Sequence, residues 1–242
     1  MKKIALLLLS LSMLFSCSEK NPNSTISKDS LRIDSLGTKA LTKEDTLMLG
    51  GYILWLSPID ESVYNKYSSV SPKEKEIDLL SQDSSQVKRI KDSLIFTSIN
   101  KKEISLTNNL NEEEDYEKYS YIQNLSDIKQ WLISGVYNEY YDYILIDQNS
   151  GEKIAMPGLP IVSPNKKLII SGNSDLVAAF TFNGLELYKY ENKKLTKVAT
   201  KELANWGANE IKWIDDSTLL IKQDFIDSSS NRFQKFVQAK IR

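Results

Sequence analysis

Val162-Ser163-Pro164-Asn165-Lys166-Lys167-Leu168-Ile169-Ile170, moved along the chain by 51 positions, falls on Trp213-Ile214-Asp215-Asp216-Ser217-Thr218-Leu219-Leu220-Ile221. Each stretch has an apolar strand end, a polar turn and an apolar strand, in that order. Between the two stand strand-like runs at Val177-Phe182, Leu185-Tyr190 and around Leu195-Ala199, so one unit holds about four short strands.

The same texture extends towards the amino terminus. Strands are expected at Tyr52-Leu56, Leu94-Ile99, Glu103-Leu106, Tyr119-Ile122, Trp131-Val136, Tyr143-Asp147, Leu168-Ser171, Thr218-Lys222 and Phe233-Ile241. Asp147-Gln148-Asn149-Ser150-Gly151, Ser163-Pro164-Asn165, Asn183-Gly184, Glu191-Asn192 and Asp215-Asp216 supply the positive-φ and Asx-type residues that tight hairpins use. Before Asp92 the pattern differs. Ser71-Pro72-Lys73-Glu74 reads as a capping box, and Ile77, Leu80, Val87 and Ile90 partly keep helical spacing. The expected fold is mainly β, with antiparallel propeller-like or stacked small sheets and one or two short helices in the N-terminal part of the body.

Pro160-Ile161-Val162-Ser163-Pro164-Asn165-Lys166-Lys167 resembles the Ser-Pro-Asp-Gly-Lys turn of bacterial propeller repeats, including those of Tol-type periplasmic proteins, with Asn165-Lys166 in place of Asp-Gly. The stretch from about Leu94 to Lys222 is similar to uncharacterised exported bacterial proteins with propeller-like sheets. That resemblance implies a fold and brings no catalytic residues. The body from 50 to 242 has room for at most four blades, and the units are most evident over 131–242.

Residues 1–16 have the parts of an export signal: Lys2 and Lys3, an apolar run from Ile4 to Phe15, and then Leu14-Phe15-Ser16-Cys17. The run is short of the roughly 20 apolar residues of a spanning helix. The four residues ending in Cys17 resemble the lipobox of bacterial lipoproteins, which implies acylation of Cys17 and membrane attachment through lipid. The absence of Asp at Ser18 implies the outer rather than the inner membrane of the bacterial cell envelope, with the face left open. Residues 17–49 contain no aromatic side chain and are rich in Ser, Thr, Lys, Asp and Asn, as a flexible tether would be. Asp29-Ser30-Leu31, Asp34-Ser35-Leu36 and Asp45-Thr46-Leu47 look like O-glycosylation sites of exported Bacteroidota proteins, a pattern that chance also produces in such a tail.

Composition removes many chemistries. The 242 residues include no His and one Cys, which excludes imidazole-based triads, His-ligated metals and internal disulfides. Without residues 1–16, which hold two lysines and no acid, 29 basic residues face 32 acidic ones, so nucleic acid is not an expected partner. No cofactor and no metal site is expected. An enzyme here would rely on carboxylates such as Asp147, Glu186, Asp215 or Asp216, although turn chemistry explains most of them equally well. The run Glu112-Glu113-Glu114-Asp115 lacks the spacing of a Ca²⁺ loop and reads as a solvated stretch.

Tyr137, Tyr140, Tyr141 and Tyr143, with Trp131 and Trp206, form the remaining candidate group. Such rings pair a flat apolar face with a hydrogen-bonding tip, which suits sugars and protein hot spots. Period two puts Tyr141 and Tyr143 on one face and Tyr140 on the other. Trp131 and Tyr143 are expected in the core. Tyr140, Tyr141 and Trp206 are the candidate ligand-binding residues, with core packing an open reading for Tyr140 and Trp206. The functional expectation is a lipid-anchored, non-catalytic binding or interaction module for an envelope protein or glycan. The alternatives are a carboxylate-dependent carbohydrate-active enzyme and a purely structural envelope component.

Overall fold

The computed structural model describes residues 45–69, 75–111 and 115–242. The export signal, Cys17, most of the tether, the Ser71-Pro72-Lys73-Glu74 box and Glu112-Glu113-Glu114 lie outside the described residues.

Strands β1 (Asp45–Leu49) and β2 (Tyr52–Ile59) form a hairpin, followed by the short helices α1 (Glu61–Tyr64) and α2 (Glu76–Gln82). Sheet I is β3 (Val87–Ile90), β4 (Ser93–Thr97) and β5 (Glu103–Thr107), paired in chain order. Sheet II is β6 (Glu117–Leu125), β7 (Gln130–Tyr137), β8 (Tyr141–Asp147) and β9 (Lys153–Met156). Sheet III follows with β10 (Ile161–Val162), β11 (Leu168–Asn173), β12 (Gly184–Glu191) and β13 (Lys194–Glu202). Sheet IV begins with β14 (Gly207–Asp215), β15 (Thr218–Ile226) and β16 (Arg232–Ile241) and is completed by the first hairpin, in the order β14-β15-β16-β2-β1. All pairings are antiparallel, and the fold is mainly β, as expected: four small antiparallel sheets, none closed into a barrel among the described residues, with two short helices.

Alternation of side chains along each strand explains the stacking. On β7, Trp131 and Ile133 join Phe96 and Leu94 of sheet I, while Leu132 points to sheet III. Ile144 and Ile146 of β8 follow the first pair and Leu145 follows the second. On β11, Ile169 packs towards sheet II and Ile170 towards sheet IV. Strands buried on both faces read as unbroken apolar runs, which is why Tyr143-Ile144-Leu145-Ile146 shows no polar alternation.

The repeat visible in the sequence is the β10–β11 hairpin of sheet III and the β14–β15 hairpin of sheet IV. Sheet IV closes its outer edge with the chain's own N-terminal strands: Ala239 pairs with Leu56 and Ile241 with Leu54. The outer face of sheet IV is covered at α1, where Lys212, almost wholly buried, lies 3.7 Å above the Tyr64 ring and donates to the Tyr67 carbonyl at 2.9 Å.

Three local expectations are corrected. Val87 and Ile90 belong to a strand, because α2 stops at Gln82 and the Asp83 carbonyl takes the Val87 N–H at a turn. Strand β1 occupies Asp45–Leu49, which the sequence reading gave to the tether. Val177-Phe182 is a loop and not a strand: β11 pairs directly with β12, Asn173 opposite Gly184, and residues 174–183 form the connection between them.

Candidate functional site

Antiparallel alternation sorts the connections of sheets II, III and IV to two ends. The turns joining β6 to β7, β10 to β11 and β14 to β15 lie at one end; residues 138–140, 174–183 and 227–231 lie at the other. The longest of these, 174–183, decides the character of the loop end. Such a connection inside a compact sheet is where function concentrates.

Asp175 builds this loop. Its Oδ1 accepts the Ala179 N–H at 3.0 Å, and its Oδ2 accepts the Thr181 N–H at 2.8 Å and the Thr181 hydroxyl at 3.1 Å. Asn173 Nδ2 donates to the Phe182 carbonyl and the Thr181 hydroxyl, both at 2.8 Å. The backbone passes through positive φ at Ala179 (54°), which breaks any strand and carries the strain of a left-handed residue with a side chain. Burial pushes the Asp175 carboxyl up, but the donors from Thr181 and Ala179 outweigh it and hold the group below the usual carboxylate range.

What the clasp displays is apolar. Leu176-Val177-Ala178-Ala179-Phe180 is an unbroken apolar run at the surface, with Val177 65% and Phe180 55% exposed. Across a groove of about 590 Å³ stands the end of the β15–β16 hairpin, where Phe225 and Phe233 stack at 5.2 Å and 11° under the Lys235 ammonium. The groove floor holds Asp224, whose Oδ2 accepts from Ser174 Oγ (3.0 Å) and Asn209 Nδ2 (2.6 Å) and whose Oδ1 accepts from Gln234 Nε2 (2.9 Å). Ser174 and Asn209 also wall an inner cavity of about 420 Å³, lined by Tyr141, Tyr143, Leu159, Asn173 and Glu210 among others. The β9–β10 connection lies against β11 there because a Cβ on Gly158 would collide with the Gly172 carbonyl.

Of the residues singled out from the sequence, Tyr141 stands at the mouth of the inner cavity, in edge contact with Tyr143 on the same strand face. Tyr140 faces the other way and stacks on Tyr137 at 4.4 Å, beside Tyr119 and Asp142. Burial pushes Asp142 up, offset in part by a Tyr137 hydrogen bond, and burial with the Glu117 hydrogen bond pushes Tyr119 up to about 12. Trp206 is half-buried in a separate depression with Pro58, Asp60, Asn205 and Phe236, so it is not brought together with the tyrosines. Trp131 is fully buried in the core.

The chain matches no family model, no curated protein and no solved structure. Its own geometry therefore carries the reading.

Of the carboxylates weighed for catalysis, Asp147, Glu186 and Asp215 stand on different sheets, and Asp216 adjoins Asp215 in the β14–β15 turn. Asp147 ends β8 and takes the N–H groups of Asn149 and Ser150. Glu186 is buried on β12 and accepts from Tyr188 (2.6 Å), Lys197 (2.6 Å) and Thr200 (3.2 Å). Asp215 takes the Ser217 N–H in the β14–β15 turn. Among the described residues, no cluster of three potential metal-ligating acids or thiols is present.

The residues missed in the sequence are Asp175, Asp224, Phe225 and Phe233. A signal was available for the first: an Asp ahead of an apolar run containing two adjacent alanines, poor strand formers, and closing on Thr181 and Asn183.

Proposed function

We propose that the protein is a lipid-anchored, non-catalytic binding module of the bacterial envelope that holds a protein partner at the loop end of sheets III and IV. The observation carrying this reading is the Leu176–Phe180 tip: five consecutive apolar residues at the surface of a loop fastened by Asp175. A fixed loop presents apolar side chains without the ordering cost that a mobile one would incur on association. Exposed apolar clusters rimmed by polar groups are characteristic of interaction sites. Attachment through Cys17 and outer-membrane residence rest on the lipobox resemblance.

The branched aliphatic content favours protein over glycan. Sugars stack on open aromatic faces, whereas Phe225 is covered by Phe233 and by Lys235, 4.6 Å from its centroid.

The test immobilises the full-length chain and presents it with detergent-solubilised envelope, untreated or protease-digested. A protein ligand is retained by the wild type, lost with Val177→Asp/Phe180→Asp, and lost after digestion. Retention of saccharide that survives digestion and requires Val177 would replace this reading with glycan binding. For the anchor, Cys17→Ala should release the chain from the membrane fraction; continued membrane residence would contradict lipidation.

A further inference from the structure

We infer that the segment received by this groove is a peptide carrying a basic side chain beside apolar ones, with the Lys or Arg head directed at Asp224. The inference rests on the protein-binding reading above and names the chemistry of the ligand.

The apolar part of the groove is its rim: Val177 and Ala178 on one side, Phe233 and Ile226 on the other. The inner part is acidic. Asp224 is half-buried and accepts three hydrogen bonds, all from neutral donors, so its charge is solvated by dipoles and paired with no cation among the described residues. Glu210, beyond the shared lining of Ser174 and Asn209, is already paired with Lys212 at 3.9 Å, which leaves Asp224 as the groove's acid without a cation. Arg232 lines the outer groove and is exposed, so the positive charge of the site sits at the entrance and the negative charge at the inner end.

A half-buried carboxylate without a counter-charge is costly to enclose further unless the enclosing group is cationic. An apolar segment alone would bury Asp224 unpaired. A segment with a basic side chain brings the missing partner, and its aliphatic stem covers the Val177–Phe233 rim while the head reaches inwards. The groove, about 590 Å³, has room for a long side chain over Asp224. A neutral polyol would satisfy the carboxylate less well and leave the aliphatic rim poorly covered.

The experiment pans a displayed random dodecapeptide library on the full-length chain in detergent, then titrates the most enriched peptide and an analogue with Met at its basic position. Enriched peptides should share Lys or Arg flanked by apolar residues. The Met analogue should bind the wild type about tenfold or more weakly, and Asp224→Asn should bind the two peptides alike. Added salt should weaken only the basic peptide. Because the analogue is tested on the unaltered protein, the result does not depend on a variant's folding. Enriched peptides that lack a basic residue yet are lost with Val177→Asp would overturn the acidic-pocket assignment and leave the groove as a protein site. Peptides indifferent to Val177→Asp, or displaced by a neutral oligosaccharide, would overturn both.

Discussion

The backbone N–H of Asn165 donates to Oδ1 of Asp216 at 2.8 Å, and these two residues occupy the same position in the two sequence repeats. The turn of sheet III is thereby fastened to the turn of sheet IV. A second link runs the other way, where the Lys166 ammonium meets Asp127 of sheet II at 3.1 Å. One end of three consecutive sheets is tied turn to turn, leaving the opposite end to carry the long loop and the groove.

Removing these ties should cost little and leave the groove intact. Asp216→Ala is expected to lower stability by about 0.5–1.5 kcal/mol, the usual value of one intramolecular hydrogen bond. Lys166→Ala should cost no more than about 1 kcal/mol, since both partners are exposed. Urea unfolding measures both, and peptide affinity at the groove should not change.

Trp131 is fully buried between sheets I and II, 5.3 Å from the Phe96 ring, and its indole N–H has no hydrogen-bond partner. Trp131→Ala should destabilise by about 3–5 kcal/mol through the cavity it opens. Trp131→Phe should cost clearly less, because the unpaired N–H disappears along with part of the ring. A loss for Trp131→Phe as large as that for Trp131→Ala would contradict the cavity account of this site.

Asp175 makes the loop acid-sensitive. Its folded pKa lies below the ordinary carboxylate value, so its contribution is complete above an unfolded pKa of about 3.9 and is lost as pH falls through the lower folded value. Asp227, held down by the Asn231 N–H in the neighbouring 227–231 turn, acts in the same direction. The protection factors of the Ala179 and Thr181 amides, exchange rates taken relative to the intrinsic rate at each pH, should therefore be high at neutral pH and fall in acid. Asp175→Ala should show low protection of these two amides at every pH while the strands stay protected.

Gly158→Ala should destabilise by about 1–3 kcal/mol, because the new methyl group meets the Gly172 carbonyl and the strand must shift. The inner cavity should be deformed with it, so the affinity of a groove ligand falls together with the melting temperature. Gly51→Ala, where a Cβ meets nothing within 4 Å, is the matched control.

Much of the fold was legible because its signals are local. The 51-residue repeat returned as two equivalent hairpins, and Trp131-Leu132-Ile133 and Tyr143-Ile144-Leu145-Ile146 read as strands because both faces of sheet II are covered. Strand β14 was less visible. Lys212 sits at one of its buried positions, and the groups that accept its charge, the Tyr64 and Tyr67 carbonyls, lie about 145 residues away in sequence. The 174–183 loop was hidden by its own composition: Val177-Ala178-Ala179-Phe180 looks like a strand until the Asp175 carboxylate takes the N–H groups of Ala179 and Thr181. Of the candidate binding residues, Tyr141 reached the inner cavity, whereas Trp206, in the connection before β14, stands in another depression.

The most direct measurement places a photo-activatable residue at position 177 of the full-length protein in intact cells, with position 194 on the edge of sheet III as the comparison. The account predicts one discrete protein adduct from 177, absent from 194 and abolished by Asp175→Ala. Adducts that are equally abundant from both positions, or that persist when Asp175 is removed, would contradict it.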